Sequence, residues 1–301
     1  MKFLFSVSLL AFFLIPTSSF AQAITYPKLS RYEPQRNEEI PNNNSGTGPS
    51  GTVSGINNIL NNFNNPAPGK GIPLPGDSAD WGLKNLRLDA GLTLTSFDDS
   101  SSTVNSSGHF RDYNLTLSGD LTDKDTIAIG FSNTRYETGG VNGILARTYG
   151  INFSWIHNLT DNYGIGLFGF VNDVDIEEIN GNSYSYGYGA LFTTFHEFEF
   201  CNISTASALA HTDYDMGHDP LFMSSLTFSK AFTDKVTGYV TFSLTESFKK
   251  DPDTDGSYGS WEVGAVYQHN DKLSFSIGFQ RTEFLHNYND NTLLLNMGYL
   301  F

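Results

Sequence analysis

Leu86-Arg87-Leu88-Asp89-Ala90-Gly91-Leu92-Thr93-Leu94-Thr95 alternates at every step. Leu86, Leu88, Ala90, Leu92 and Leu94 share one parity, and Arg87, Asp89, Gly91, Thr93 and Thr95 share the other. Successive strand side chains point to opposite faces, so this stretch predicts a β-strand with one apolar and one polar face. The same period continues from Lys84 to the last residue, Phe301.

Short connections interrupt it at a regular interval. Leu121-Thr122-Asp123-Lys124 is echoed by Leu159-Thr160-Asp161-Asn162, Phe232-Thr233-Asp234-Lys235 and His269-Asn270-Asp271-Lys272. The gap between the second and third is about twice the others, which places a further turn at Phe195-His196-Glu197-Phe198. Asp and Asn suit such turns because their side chains bond the local backbone. Longer polar loops fall near 97–108, 137–143, 174–182, 211–220, 249–259 and 285–291. Twelve strands follow, at 84–96, 109–120, 125–136, 144–157, 163–173, 183–195, 198–210, 221–231, 236–248, 259–268, 273–284 and 292–301. Their length suits a tilted bilayer crossing.

Three features favour a membrane barrel over a soluble sandwich. Short and long connections alternate, as expected when one rim faces the periplasm and the other the outside. Aromatic residues sit on the apolar parity near strand ends, where rings favour the headgroup level: Tyr149 and Trp155, Tyr184 and Tyr186, Trp261 and Tyr267, Phe275 and Phe279. Finally, Leu295, Met297, Tyr299 and the terminal Phe301 share one face.

This ending resembles the C-terminal insertion signal of Gram-negative outer-membrane β-barrels, and the resemblance covers roughly residues 84–301. It implies recognition by the barrel-assembly machinery, with Tyr299 and Phe301 in the recognised positions and Leu295 and Met297 on the same face. In lipid every backbone polar group must be paired, so an all-β span has to close on itself. The expected fold is all-β: a closed, antiparallel, up-and-down transmembrane barrel of about twelve strands with a disordered N-terminal tail. Both termini would then lie in the periplasm.

The preceding chain reads as export and linker. Met1-Lys2, the apolar run Phe3 to Leu14 and Ala21-Gln22-Ala23 form a secretory signal over 1–23, cut after Ala23. Residues 24–83 are rich in Asn, Gly, Pro and Ser and bury too little apolar surface to fold alone. Within them Val53, Ile56, Ile59, Leu60 and Phe63 fall at helical spacing, so a short amphipathic helix near 53–63 is expected. The tail is a periplasmic segment, a plug for the pore or a binding element for a periplasmic partner.

Composition limits the function. A net charge of −15 excludes nucleic acid as a partner, and the acidity lies in the barrel, where 12 basic side chains face 27 acidic ones over 84–301. A single cysteine, Cys201, on a strand, excludes an internal disulfide.

On the inward parity most residues are small and uncharged, among them Thr93, Thr95, Thr116, Ser118, Gly150, Asn152, Ser225, Thr227, Thr241, Ser243, Ser274 and Ser276. The candidate inward charges are Arg87, Asp89, Glu199 and Glu262, and Phe168, Phe170 and Tyr239 are expected to narrow the pore. Twelve-stranded channels for acidic oligosaccharides carry arginine ladders, which this lumen lacks. The expectation is a passive channel for small uncharged or cationic solutes. The alternatives are a barrel for secretion or surface display, resembling autotransporter translocators with the tail in the pore, or an anchor whose tail binds a periplasmic partner.

Four constellations match patterns that carry chemistry in other proteins. Asp251, Asp253, Asp255 and Gly256, followed after five residues by Glu262, fit a calcium-loop pattern, although Glu262 falls inside a strand. Read otherwise, this is an acidic solvated loop, and no other cofactor is implied. His211, Asp213, Asp215, His218 and Asp219 offer transition-metal ligands on loop four, and His211 with Asp213 is the one local pair for rim catalysis. Asp173, Asp175, Glu177 and Glu178 on loop three read as solvated loop carboxylates. Gly164-Ile165-Gly166-Leu167-Phe168-Gly169 satisfies a dinucleotide-binding pattern but lies within a strand, so it is a decoy. No enzyme activity is expected.

Overall fold

The computed structural model describes residues 83–99, 106–138, 145–176, 181–214, 217–248, 257–284 and 288–301. The signal 1–23, the tail to residue 82 with its expected helix, and the residues joining the strands at one rim lie outside them. Twelve strands form a single ring: β1 (Lys84–Asp99), β2 (Ser106–Asp120), β3 (Asp125–Thr138), β4 (Leu145–Asn158), β5 (Tyr163–Ile176), β6 (Gly181–Glu197), β7 (Asn202–Tyr214), β8 (Gly217–Thr233), β9 (Val236–Ser247), β10 (Ser257–Gln268), β11 (Leu273–Phe284) and β12 (Tyr288–Leu300). Each strand pairs antiparallel with its sequence neighbours, and β1 pairs with β12 to close the barrel. The seam runs from Arg87 opposite Leu300 to Asp99 opposite Tyr288, and the Phe301 N–H donates to the Leu86 carbonyl at 2.9 Å.

The apolar parity faces out. Leu115, Phe131, Ile151, Leu167, Val171, Leu209, Phe242, Ile277 and Leu295 are all exposed on the outer wall. Such a continuous apolar belt suits hydrocarbon rather than water. Tyr149, Tyr184 and Tyr186 border the belt towards the loop rim, and Tyr267 and Phe275 border it towards the turn rim. The polar parity faces in, where threonines bond across strands, such as Thr95 with Thr292 and Thr227 with Thr241, both at 2.8 Å.

The turns depart from the sequence reading in which residue does the bonding. At 121–124 the Thr122 hydroxyl, not Asp123, accepts the N–H groups of Lys124 and Asp125, at 3.1 and 3.0 Å. Thr233 does the same in its turn and Thr160 accepts the Asn162 N–H, whereas at 269–272 the side chain of Asn270 does the bonding, as the Asp/Asn reading expects. An acceptor at that place lies nearest the N–H groups two and three residues ahead, whereas the aspartate that follows points to solvent.

Two boundaries also move. The middle turn is at 198–201, so Glu199 is exposed at the turn rim rather than in the lumen, and Cys201 precedes β7 instead of lying on a strand. Loop four is largely absent: β7 continues to Tyr214 and β8 begins at Gly217, because residues 211–214 and 217–220 pair with each other. The alternation of short and long connections is therefore weaker than expected.

Asp125, at the start of β3, organises the turn rim beside β4. Its carboxylate accepts from the Thr122 hydroxyl at 2.5 Å and the Trp155 indole at 3.1 Å, and lies 2.9 Å from His157 Nδ1. The bonds from Thr122 and then His157 hold its carboxyl below the ordinary 3.8. A lowered folded-state value means that the stabilisation is complete above pH 3.8 and is lost as pH falls through the folded value. Asp125→Asn should flatten the acid limb of the unfolding profile below the ordinary carboxylate value of 3.8, read by tryptophan emission. An unchanged limb would contradict this account.

Candidate functional site

The chemistry of the barrel gathers in its lumen, and the inward residues build it strand by strand. Arg87 and Asp89 lie two apart on β1, on one face, and form a two-pronged ion pair, Nε to Oδ2 and a terminal nitrogen to Oδ1, both at 2.7 Å. The two charges expected to face the pore thus cancel each other. Glu262 on β10 accepts the Tyr239 phenol of β9 at 2.6 Å. That bond holds the carboxylate inside the barrel, away from the loop rim where a calcium shell would form. Asp251, Asp253 and Asp255 lie outside the described residues.

The three aromatics expected to narrow the pore instead lie along its wall. Phe168 and Phe170 on β5 pair with Gly189 and Gly187 on β6, and Tyr239 pairs with Gly264 on β10. A Cβ at Gly189 would stand 2.6 Å from the Phe168 ring, and one at Gly264 would stand 2.5 Å from the Tyr239 ring. Each glycine vacates the space into which a neighbouring ring leans.

The structure adds residues that the sequence reading missed. Ile156, Phe168, Phe170, Leu191, Ala206, Ala208, Ala210, Leu221 and Met223 form one buried apolar strip on the inward face of β4 to β8. At the loop-rim mouth Phe97, Phe110 and Tyr136 cluster on β1 to β3, with centroid separations of 4.8 to 5.6 Å and Phe97 stacked on Tyr136. Asp290 is the register partner of Phe97, and Asp112, bonded by the Thr134 hydroxyl at 2.7 Å, faces inward on β2. Asp120 faces inward at the turn rim, bonded by Asn85 and Thr126. Among the described residues, the inward parity therefore carries Asp89, Asp112, Asp120, Asp290, Glu262 and, exposed at the turn rim, Glu197, against Arg87. Asp112 was legible from parity alone, while Asp290 lay beyond the expected start of its strand.

The remaining constellations do not assemble a site. His211 and Asp213 sit on β7 with their side chains 3.2 Å apart, but on the outward parity beside Tyr188 rather than in the lumen. His218 stacks on His211 at 5.6 Å, and no group of three or more metal-binding side chains occurs among the described residues. His211, Asp213 and His218 stand on the paired strands β7 and β8 rather than in the expected loop, while Asp215 and the side chain of Asp219 lie outside the described residues. Asp173 and Asp175 likewise lie on β5 rather than in a loop. Gly164 to Gly169 lies within β5, as expected of a decoy.

A closed twelve-stranded antiparallel ring with an apolar outer belt and a polar lumen defines the class: the chain has the fold of Gram-negative outer-membrane β-barrels. Among solved structures it is similar to the translocator domain of the autotransporter NalP from Neisseria meningitidis, at TM-score 0.54 and 11% identity over 83% of this chain and 98% of that one. It is similar to an outer membrane channel from Pseudomonas putida, at TM-score 0.55 and 10% identity over 75% and 100%. The β domain of the Bordetella autotransporter BrkA gives TM-score 0.53 and 9% identity over 72% and 100%. No family model and no curated protein sequence matches the chain. At these identities the likeness shows the fold, and the lumen has to argue the function.

Proposed function

We propose that the chain is a passive channel in the outer membrane of a Gram-negative bacterium, for small uncharged or cationic solutes, with both termini on the periplasmic side. The observation that carries this reading is the sign of the inward charge: Arg87 and Asp89 cancel each other, and the carboxylates Asp112, Asp120, Asp290 and Glu262 remain in excess of the inward cations among the described residues. A lumen of one sign with low-dielectric walls concentrates counter-ions and repels co-ions. The aromatic mouth beside Asp290 adds ring faces that attract cations. The P. putida structure supports a channel on such a fold, and the autotransporter domains support the alternative of secretion or display.

The buried apolar strip favours a refinement. Ala206 and Met223 are 0% and 1% exposed although they face a lumen. We propose that residues 53–63, through Val53, Ile56, Ile59, Leu60 and Phe63, lie against this strip and reduce the open pore. Planar-bilayer recordings of the full chain and of a chain lacking 24–82 test both ideas, with heat-dependent gel mobility as the check on folding. The expected result is cation-selective conductance that rises on deletion and loses selectivity in Asp112→Asn, Asp290→Asn, Glu262→Gln. Silence in both chains would remove the channel. Equal conductance in both would remove the tail from the pore, and surface protease access to the tail would favour display.

For calcium, the proposal rests on Asp251, Asp253 and Asp255 without Glu262. Calorimetry with calcium should show binding that Asp253→Asn abolishes, and no heat would end it.

A further inference from the structure

Among the described residues, the basic side chains of the barrel are sorted by type, while Lys249 and Lys250 lie outside the described residues. Lys84, Lys124, Lys230, Lys235 and Lys272 all lie at or near the turn rim. The described arginines do not. Arg87 is in the lumen, while Arg111, Arg135, Arg147 and Arg281 lie on the outward parity in the half of the barrel nearest the loop rim.

Register gathers three of these arginines. Arg111 on β2 stands opposite Arg135 on β3, which stands opposite Arg147 on β4. Neighbouring strands are ~4.8 Å apart, so the row spans about 10 Å of the outer wall. Two residues nearer the turn rim the same strands present Tyr113, Asn133 and Tyr149, and two residues further they present Leu115, Phe131 and Ile151. The wall thus passes from hydrocarbon-facing side chains, through a tyrosine belt, to the arginines in about 14 Å of strand. That places the guanidiniums at the depth of lipid phosphates.

Like charges on directly paired residues destabilise a sheet unless an anion lies among them. The anions within the protein are on the flanks. Glu137 lies 2.5 Å from Arg135 Nε, Asp175 is the register partner of Arg147, and Asp173 is paired with Tyr149 one row below. Arg111 is exposed and has no partner among the described residues. A lysine would serve general attraction, as it does at the other rim. Arginine instead presents a planar fork that grips two phosphate oxygens at once.

We propose that Arg111, Arg135 and Arg147 bind the phosphate of a phosphorylated glycolipid in the outer leaflet, with Glu137 and Asp175 orienting the guanidiniums from either side. This rests on the orientation given under Proposed function, which puts the loop rim outside. A phosphomonoester carries close to two negative charges near neutrality and so supplies counter-charge to the row.

The test uses the full chain in phosphatidylcholine nanodiscs that contain lipid A or dephosphorylated lipid A, with retained lipid measured by native mass spectrometry. The expected result is retention of lipid A alone, reduced roughly tenfold in Arg111→Gln, Arg135→Gln, Arg147→Gln and only partly restored by lysine at the three positions. Heat-dependent gel mobility shows whether the triple variant folds. Arg111→Gln, at an exposed residue, should lower retention even where the triple variant does not fold. Equal retention by the folded variants, or of the dephosphorylated lipid, would overturn the proposal. Displacement of lipid A by inorganic phosphate would also overturn it, leaving a simple anion site. Protease added to intact cells should cut within 248–256. Protection there, with phosphate-selective retention intact in nanodiscs, would overturn the orientation and with it the leaflet, while failure of the site alone leaves the cleavage unchanged.

Discussion

Ile277→Arg should cost about 2–4 kcal/mol of stability, the range for a cation on the lipid face near the bilayer midplane. Ser276→Arg, one residue earlier, should cost far less. Ile277 is 54% exposed on the outer wall between Ala265 of β10 and Leu295 of β12, whereas Ser276 faces the lumen. In a water-soluble barrel the order would reverse, because an exposed isoleucine exchanges for arginine at almost no cost. The pair therefore tests the membrane reading itself. Denaturant unfolding from phospholipid vesicles, followed by tryptophan emission, reads the stability. Ser276→Arg should meanwhile move the reversal potential towards anions, since it places a cation among carboxylates. Equal stability of the two variants would contradict the assigned faces.

Phe301→Ser should separate stability from assembly. The Phe301 side chain is 59% exposed and packs edge-on against Tyr299 at 5.1 Å, while its backbone N–H holds the seam through the Leu86 carbonyl. Replacing the ring leaves that backbone bond in place, so the unfolding midpoint of barrel folded in vitro should barely move. If the exposed ring is what the assembly machinery reads, barrel recovered from the outer membrane of cells should fall roughly tenfold, which corresponds to about 1.4 kcal/mol of recognition. A fall in both quantities would make the ring structural, and a fall in neither would remove it from recognition.

Much of the fold was legible because a period of two is a strong local signal. All twelve strands and both faces follow from the parity of residues such as Leu86 to Thr95. The misplaced middle turn has a local cause: Phe198-Glu199-Phe200 alternates aromatic with polar residues and imitates the start of a strand. The lumen was less legible. Apart from Phe168, Phe170 and Tyr239, the expected lumen is small and polar, and the inward Leu191, Leu221 and Met223 carry no signal that separates them from lipid-facing residues. The Arg87–Asp89 pair was readable, since two residues apart on a strand means one face. The glycine seats of Phe168 and Phe170, and the arginine row, depend on which residue stands opposite which across strands. That is register, which no single stretch of sequence contains.

The seam between β1 and β12 has a kinetic meaning. Every other pairing joins neighbours in the chain, so the hairpins form from local contacts. The last one joins Arg87 to Leu300, and bringing such distant ends together costs about 5 kcal/mol of chain entropy before any bond repays it. Until then the sheet has two bare edges and an outer face that water rejects, a species prone to pair with its own kind. The slow step of this molecule's biogenesis should therefore be ring closure, and its rate should respond to Gly91 and Asn296, which meet in the middle of the seam, more than to residues in any hairpin.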